Sequence, residues 1–252
     1  MTFKLPFPAS GPIGRRRPHF DVADLVVLIG VLGLLAALAW LSAGLVVPFG
    51  PGNEPAVSTD PANLPYYAGR SLLRMFAALA VSTAFSLTYG YAAAKSRRAE
   101  RVLIPLLDVL QSVPVLGFLS VTVTAFIALF PGSLLGLECA SIFAIFTSQA
   151  WNMTFSVYHS LRTLPRDLNE ATRMYRLSRW QRFRRLELPA ATTGLVWNGM
   201  LSMGGAWFFL VASEAISVNQ HLYTLPGIGS FVGVAIGEQN LGAVAWAIVT
   251  MT

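Results

Sequence analysis

Charged residues and cysteine are both scarce in this chain. Charged residues form 12% of the 252 positions and hydrophobic residues 54%, a balance that argues against a water-soluble fold. The single cysteine, Cys139, excludes an intramolecular disulfide and a cysteine metal cluster. The two lysines, Lys4 and Lys95, lie outside any G-x-x-x-x-G-K-S/T nucleotide-binding loop, and neither H-E-x-x-H nor G-x-S-x-G occurs. We therefore predict no catalytic residues and no metal site.

Long uncharged stretches indicate instead a protein that crosses a membrane. A helix needs about 20 residues to span a bilayer core. Five stretches are predicted to be complete spans: 22–47, 72–94, 103–130, 134–158 and 191–215. The final apolar stretch, 241–252, has 12 residues and is too short to cross alone. We expect an all-α membrane bundle of five complete spans, with a sixth cut off within a longer polypeptide. An interfacial helix is the alternative for that last stretch.

Positive charges predict which side each loop faces. Of the 18 lysines and arginines, 16 lie before the first span, after the second or after the fourth. These segments share one side if the spans alternate, and short translocated loops avoid positive charge. We therefore place the amino terminus in the cytoplasm and attribute the net charge of +6 to topology. Arg70 and Arg74, near the outer start of the second span, either pair with acidic groups or reach outward to the membrane surface.

The basic loop 160–189 is predicted to form two short helices. Asp167 with Glu170, and Ser178 with Gln181, have the spacing of capping boxes, which mark helix starts. Hydrophobic residues recur at helical spacing in both halves: Leu168, Ala171, Met174 and Tyr175 in the first, and Trp180, Phe183 and Leu186 in the second. One interpretation is an amphipathic hairpin on anionic lipid headgroups. A DNA-binding helix-turn-helix is disfavoured, because both of its ends are tethered between spans.

The residues of this loop also resemble a known family. Glu170-Ala171-Thr172, the run from Ser178 to Arg185 and Leu188-Pro189 are similar to the EAA loop of ABC importer permeases. Two further segments stand in the order that such permeases have: Gln111-Ser112-Val113-Pro114 and Leu225-Pro226-Gly227-Ile228-Gly229. The resemblance implies a type I permease fold. It is greatest to the nitrate, sulfonate and taurine group, particularly to a version with two permease units fused in one polypeptide.

The resemblance implies how the chain is divided and what it does. Residues 1–21 would be a cytoplasmic tail, 22–47 an additional first transmembrane helix, 48–66 an extracytoplasmic loop and 67–252 the permease domain with its coupling loop 160–189. The implied function is passage of a small solute, such as nitrate, a sulfonate or a taurine-like anion, across the bacterial inner membrane. The chain itself would bind no cofactor, since a separate cytoplasmic ABC ATPase would bind and hydrolyse ATP.

The resemblance also implies partners and coupling residues. The partners are that ATPase, an extracytoplasmic substrate-binding protein, a second permease unit (an identical chain or a fused second half) and membrane lipid, with no nucleic acid. The residues implied to couple to the ATPase are Asp167, Glu170, Ala171, Thr172, Met174, Tyr175, Arg176, Trp180, Phe183 and Pro189. Thr172 stands where the family has its second alanine, and Arg176 where it has glycine. Because arginine lacks glycine's backbone freedom, we expect an altered turn between the two helices.

Polar residues within the spans are candidates for the translocation path, because exposing them to lipid is costly. The candidates are Gln111, Ser112, Gln149, Asn152, Asn198 and Glu214, with Gln149 and Asn152 as the preferred pair. Hydrogen bonding between helices is the alternative role. Pro114 predicts a helix break beside the first two. Glu214 is either a gate or cation-binding residue, or a partly solvated carboxylate at the membrane interface.

Two other functions are compatible with the sequence. A secondary transporter or channel would need no ATPase, and the loop 160–189 would then lie only on the lipid surface. A membrane scaffold would show no ATP-dependent uptake in vesicles. The sequence does not fix the substrate, because the choice of solute usually rests with the binding protein.

Overall fold

The computed structural model describes residues 56–218 and 221–251, so the tail 1–21 and the predicted first span 22–47 lie outside the described residues. Within that part the chain is mostly helical, as predicted. A 3-10 turn, Pro61–Asn63, precedes nine helices. They are α1 (Leu64–Lys95), α2 (Arg97–Ser112), α3 (Val115–Leu129), α4 (Leu135–Arg162), α5 (Arg166–Met174), α6 (Arg179–Arg182), α7 (Leu188–Glu214), α8 (Ile228–Gly237) and α9 (Leu241–Met251). A π-helical turn, Phe183–Glu187, joins α6 to α7.

One element departs from the all-α expectation. Strands β1 (Ala215–Val218) and β2 (His221–Thr224) pair in antiparallel fashion, with Ala215 opposite Thr224. This hairpin directly continues α7, and the Leu225 N–H donates a hydrogen bond of 2.9 Å to the carbonyl oxygen of Glu214. The chain therefore returns to the end of α7 before α8 begins.

Two segments in the described ranges are long and apolar enough to cross a bilayer. They are Pro61–Lys95 and the continuous run Arg179–Glu214. The pair α2 and α3 makes a third if it forms one broken span, which gives two or three candidate spans. This is fewer than the sequence predicts for these residues. Helix α4, with 28 residues, is long enough to span. It is not among the candidate spans because Glu138, Gln149 and Asn152 make it more polar.

The predicted break at Pro114 is confirmed. Helix α2 ends at Ser112, Val113 is extended, and Pro114 is the N-cap residue of α3. The axes of Arg97–Ser112 and Gly117–Leu129 differ in direction by 102°. Proline causes this because its ring disfavours a helical conformation at the preceding residue.

The central helix of the bundle is α4, which packs against both α1 and α7. Apolar side chains of all three helices are buried together: Met75, Ala78, Ile145, Ala206 and Leu210. At one end, here called the hairpin end, the start of α1, the start of α4 and the end of α7 meet near the β-hairpin and α8. At the opposite end, called the loop end, the segment 163–187 connects α4 to α7 beside the end of α1. The candidate site residues lie at these two ends, along α4 and α7, and at the end of α2.

Candidate functional site

The loop 160–189 contains two short helices, as predicted, but only one of the two capping boxes. Ser178 caps α6: its Oγ accepts from the Gln181 N–H at 3.3 Å, and the Ser178 N–H donates to Gln181 Oε1 at 2.9 Å. The predicted box at Asp167 is wrong. Helix α5 has Pro165 as its N-cap residue, so Asp167 lies inside the first turn. Its negative charge there still favours the helix through the dipole.

The turn between α5 and α6 is closed by hydrogen bonds around Arg176. The Arg176 N–H donates to the Arg173 carbonyl and the Leu177 N–H to the Thr172 carbonyl, each at 3.0 Å. This is a Schellman motif, which normally places glycine at the left-handed position. Arg176 adopts that conformation, with a φ of 48°. Arginine therefore does supply the left-handed conformation, although this backbone costs a non-glycine residue roughly 1–2 kcal/mol. The expected change in the turn between the two helices stays a prediction.

Large apolar side chains on this loop point to solvent. Met174 is 83% exposed, Tyr175 80% and Trp180 66%. Phe183 is half-buried, and its ring stands edge-on to that of Tyr91 in α1, with centroids 5.4 Å apart. Of the other predicted coupling residues, Thr172 is buried, Ala171 is half-buried, and Asp167, Glu170, Arg176 and Pro189 are exposed. Exposed methionine and aromatic side chains on a charged surface are typical of a protein interface.

A group of polar residues fastens the loop to the bundle, and sequence reasoning missed it. Glu187 is 1% exposed and accepts a hydrogen bond of 2.7 Å from Arg182 Nε. It also forms an ion pair with Lys95 at the end of α1. Arg182 in turn donates from Nη2 to Asn169 Oδ1 in α5 at 2.8 Å. We call Lys95, Asn169, Arg182 and Glu187 the loop-end cluster. One signal was available: Glu187 is the only acidic residue between Glu170 and Glu214.

Four charged residues form a second group at the hairpin end: Arg70, Arg74, Glu138 and Glu214, here called the hairpin-end cluster. Each is at most 1% exposed. Arg74 contacts both carboxylates, with Nε 2.6 Å from Glu138 Oε2 and Nη1 2.6 Å from Glu214 Oε1, and Arg70 pairs with Glu138. Of the two roles predicted for the arginines, pairing with acidic groups is confirmed. Buried ions of this kind require balanced partners, and two positive charges here face two negative ones.

Glu214 has two further hydrogen-bond partners besides Arg74. Its Oε1 accepts from Ser71 Oγ at 2.5 Å and its Oε2 from the Gly229 N–H at 2.6 Å. The prediction of a partly solvated interface carboxylate is therefore wrong. The motif Leu225 to Gly229 owes its glycines to this packing. A Cβ atom at Gly227 would overlap the Glu214 carboxylate, and one at Gly229 would lie 2.7 Å from Val211 Cα.

The predicted path residues are partly brought together. Asn152 and Asn198 both line a cavity of about 420 Å³ between α4 and α7, with Phe155, Ser156, His159, Ser160 and Thr163. Gln149, the predicted partner of Asn152, is instead buried and accepts a hydrogen bond of 3.3 Å from Ser82 in α1. The remaining two candidates are exposed at the end of α2: Gln111 donates to Asp108 at 3.1 Å and Ser112 to the Val109 carbonyl at 2.7 Å. Glu214 lies at the hairpin end.

These features define a helical membrane protein with a basic, apolar-tipped hairpin between two of its long helices. The chain belongs to the family of binding-protein-dependent transport system inner membrane components, whose sequence profile matches residues 86–252. Membership confirms the resemblance to ABC importer permeases. Permease subunits of this family are not enzymes and bind no cofactor, because ATP is hydrolysed on a separate subunit. They are multi-pass proteins of the inner membrane.

Curated relatives of this chain are permeases for small anions. The chain is 22% identical over 179 residues to the bicarbonate transport system permease protein CmpB of Synechococcus elongatus, covering 71% of this chain and 60% of that protein. It is 29% identical over 150 residues to the nitrate import permease protein NrtB of Leptolyngbya laminosa, covering 59% and 48% respectively. It is 28% identical over 125 residues to the putative aliphatic sulfonates transport permease protein SsuC of Escherichia coli, covering 49% and 44%. The chain thus spans about half to three-fifths of the length of these relatives.

Proposed function

We propose that this chain is the transmembrane permease subunit of an ABC importer and forms the path for a small anion. Family membership and the bicarbonate, nitrate and sulfonate permeases among its relatives support that class of solute. The observation that carries the proposal is the exposed apolar tip of the loop 160–189, made of Met174, Tyr175 and Trp180. A surface of this kind at the end of a bundle suits a protein partner, and the partner proposed is the ATPase subunit.

The proposed arrangement places the loop end in the cytoplasm and the hairpin end outside. Residues 1–21 then form a cytoplasmic tail, 22–47 an additional helix, 48–66 an extracytoplasmic loop and 67–252 the permease domain, with five complete crossings and part of a sixth. Charge supports this orientation, since eight arginines follow the fourth predicted span and neither lysine nor arginine occurs in 217–240. A substrate-binding protein would deliver solute at the hairpin end, and a second permease unit would complete the path.

The cavity between α4 and α7 is the proposed part of the solute path in this chain. Amide and hydroxyl groups of Asn152, Ser156, Ser160 and Asn198 line it, and no carboxylate of the described residues does so. Neutral donors of this kind suit a small oxyanion, because they supply hydrogen bonds without a fixed charge that would trap it. The lining is also too polar to face lipid at low cost.

Substitution of one exposed tryptophan tests the docking surface. Trp180→Ala should weaken the affinity for the cognate ATPase by about 2 kcal/mol, roughly 30-fold in Kd, as expected for an interface tryptophan. Co-purification with the ATPase should fall accordingly. ATP-driven uptake should fall with it. Trp197→Ala is the matched control, because Trp197 is 62% exposed on the side of α7 and should leave both unchanged. Normal association of the Trp180→Ala variant would contradict the proposal, and uptake by the chain in vesicles without any ATPase would favour a secondary transporter instead.

A further inference from the structure

The covalent chain connects the loop 160–189 to α4 and α7, but a third connection runs to α1 through side chains. Glu187 lies in the π-helical turn, and its ion pair with Lys95 joins this turn to the last residue of α1. Phe183, in the same turn, contacts Tyr91 one helical turn before Lys95. The ammonium of Lys95 lies 4.9 Å from the centre of the Tyr91 ring. Movement of the turn is therefore mechanically linked to α1.

Both short helices of the loop are tied to this same carboxylate. Arg182 Nε donates to Glu187, while Arg182 Nη2 donates to Asn169 in the middle of α5. A displacement of α5 pulls on Arg182, and Arg182 transmits it to Glu187. The loop-end cluster thus forms a continuous polar chain from α5 through α6 and the π-helical turn to α1.

Burial makes this chain of contacts difficult to break. Glu187 is 1% exposed, while Lys95 is 36% and Arg182 31% exposed. A carboxylate removed from water requires a cation, because an unpaired buried charge is strongly unfavourable. The two cations can adjust their positions at the surface, whereas Glu187 must keep them within reach. The end of α1 and the loop are therefore constrained to move together.

The cluster also has room to rearrange while it stays paired. Glu187 borders a cavity of about 200 Å³, which Lys95, Asn169 and Arg182 also line. Its second oxygen, Oε2, has no hydrogen-bond partner among the described residues. This oxygen offers either cation a second acceptor on the same carboxylate. A π-helical turn, with its wider spacing, is a common place for such adjustment.

We propose that Glu187 and Lys95 are positioning residues that transmit ATPase-driven movement of the loop to α1. This inference rests on the proposed function, since it requires an ATPase docked on α5 and α6. It adds α1 to the helices that respond directly, beyond α4 and α7. The consequence is that breaking the Lys95–Glu187 pair disconnects hydrolysis from transport without disturbing docking.

The test uses the complete transporter, with its ATPase and binding protein, in proteoliposomes. Lys95→Met removes the ionic link to α1 and keeps the ring contact of Phe183 with Tyr91. Glu187 stays paired with Arg182, so the carboxylate keeps a cation. We expect normal ATPase association and hydrolysis, with about tenfold less solute imported per ATP hydrolysed. Lys95→Arg should restore most of that ratio. Arg98→Met, which removes an exposed positive charge outside the cluster at the same end, should leave it at the wild-type value.

Three results would overturn the inference. Import per ATP at the wild-type level in Lys95→Met would show that the pair transmits nothing, while the proposed function would stand. If Lys95→Met loses both ATPase association and solute uptake, the pair only supports the docking surface. Failure of the wild-type chain to bind any ATPase would overturn the proposed function and this inference with it.

Discussion

The two ends of the bundle both contain buried carboxylates, but they hold them differently. In the hairpin-end cluster all four charged side chains are buried, and Glu214 receives additional hydrogen bonds from α1 and α8. In the loop-end cluster only the carboxylate of Glu187 is buried, and its two cations are about one-third exposed. A pair that opens inside a fully enclosed network leaves its charges without water, whereas a partly exposed cation can be hydrated when it shifts. The hairpin end is therefore expected to stay rigid while the loop end adjusts.

The largest expected effect comes from breaking the hairpin-end cluster. Glu214→Ala leaves Arg74 with only one carboxylate and removes the acceptor of the Ser71 and Gly229 hydrogen bonds. Two buried cations then share one carboxylate, and we expect a loss of about 3–5 kcal/mol of unfolding free energy, the usual cost of an uncompensated buried charge. Thermal unfolding of the purified protein in detergent measures it. Glu238→Ala is the control, since exposed Glu238 should cost less than about 0.5 kcal/mol. Equal stability of the two variants would show that the cluster is not a rigid tie.

A smaller effect is expected from adding one methyl group beside Glu214. In Gly227→Ala the new Cβ atom overlaps the Glu214 carboxylate, and overpacking of this kind costs about 1–3 kcal/mol. Gly237→Ala is matched to it, because the Cβ atom there meets open space at the end of α8. The same melting experiment should show destabilisation in the first variant and none in the second. Tolerance of alanine at position 227 would contradict the close approach of α8 to Glu214.

At the loop end, relief of backbone strain should stabilise the hairpin. Arg176→Gly removes the cost of a left-handed arginine and should add about 1 kcal/mol to the local stability of α5 and α6. Arg173→Gly, one residue before the end of α5, should instead cost about 1 kcal/mol. Amide hydrogen exchange of residues 166–182 reports both changes. Faster exchange in Arg176→Gly would mean that the arginine side chain contributes more than its backbone costs.

The smallest expected difference is the response of the two ends to salt. The exposed cations of the loop-end cluster are screened by ions, so its pairs should lose up to about 1 kcal/mol between low salt and roughly 1 M salt. The enclosed cluster around Glu214 should change less. Amide hydrogen exchange compares the two ends in one experiment. Leu188, which follows Glu187 in the chain, reports on the loop end, and Gly229, whose N–H donates to Glu214, reports on the hairpin end. An equal response at both amides would remove the distinction between a rigid and an adjustable end.

Local patterns in the sequence were sufficient for some features of the fold. Apolar runs located the long helices, Pro114 located the break between α2 and α3, and Ser178 with Gln181 located the start of α6. The other predicted cap was wrong because the helix begins at Arg166, which puts Pro165 at the N-cap position and Asp167 within the first turn. The left-handed conformation of Arg176 could not be predicted from its residue type, since glycine is usual there and it is the hydrogen bonds of the turn to Thr172 and Arg173 that stabilise it.

The two ionic clusters could not be predicted from local sequence patterns, for a different reason. Arg74 meets Glu138 and Glu214 across 64 and 140 residues of chain, and Lys95 meets Glu187 across 92. Such pairs depend on how the helices are arranged, which no single segment encodes. Charge at the ends of apolar stretches marked Arg70, Arg74 and Glu214 as unusual, but it left their partners open. The predicted pairing of Gln149 with Asn152 failed for the same reason, because the two residues share a helix but face different neighbours.

Site-specific cross-linking tests the central claim, that the loop 160–189 docks on an ATPase. Tyr175→Cys in a Cys139→Ala background places one thiol at the exposed tip of the loop, and Trp197→Cys places one on the side of α7 as the control. With a bifunctional cross-linker in native membranes, position 175 should yield a covalent adduct with the cognate ATPase and position 197 should not. Absence of the adduct at 175 in an actively importing membrane, or equal yields at both positions, would contradict the account.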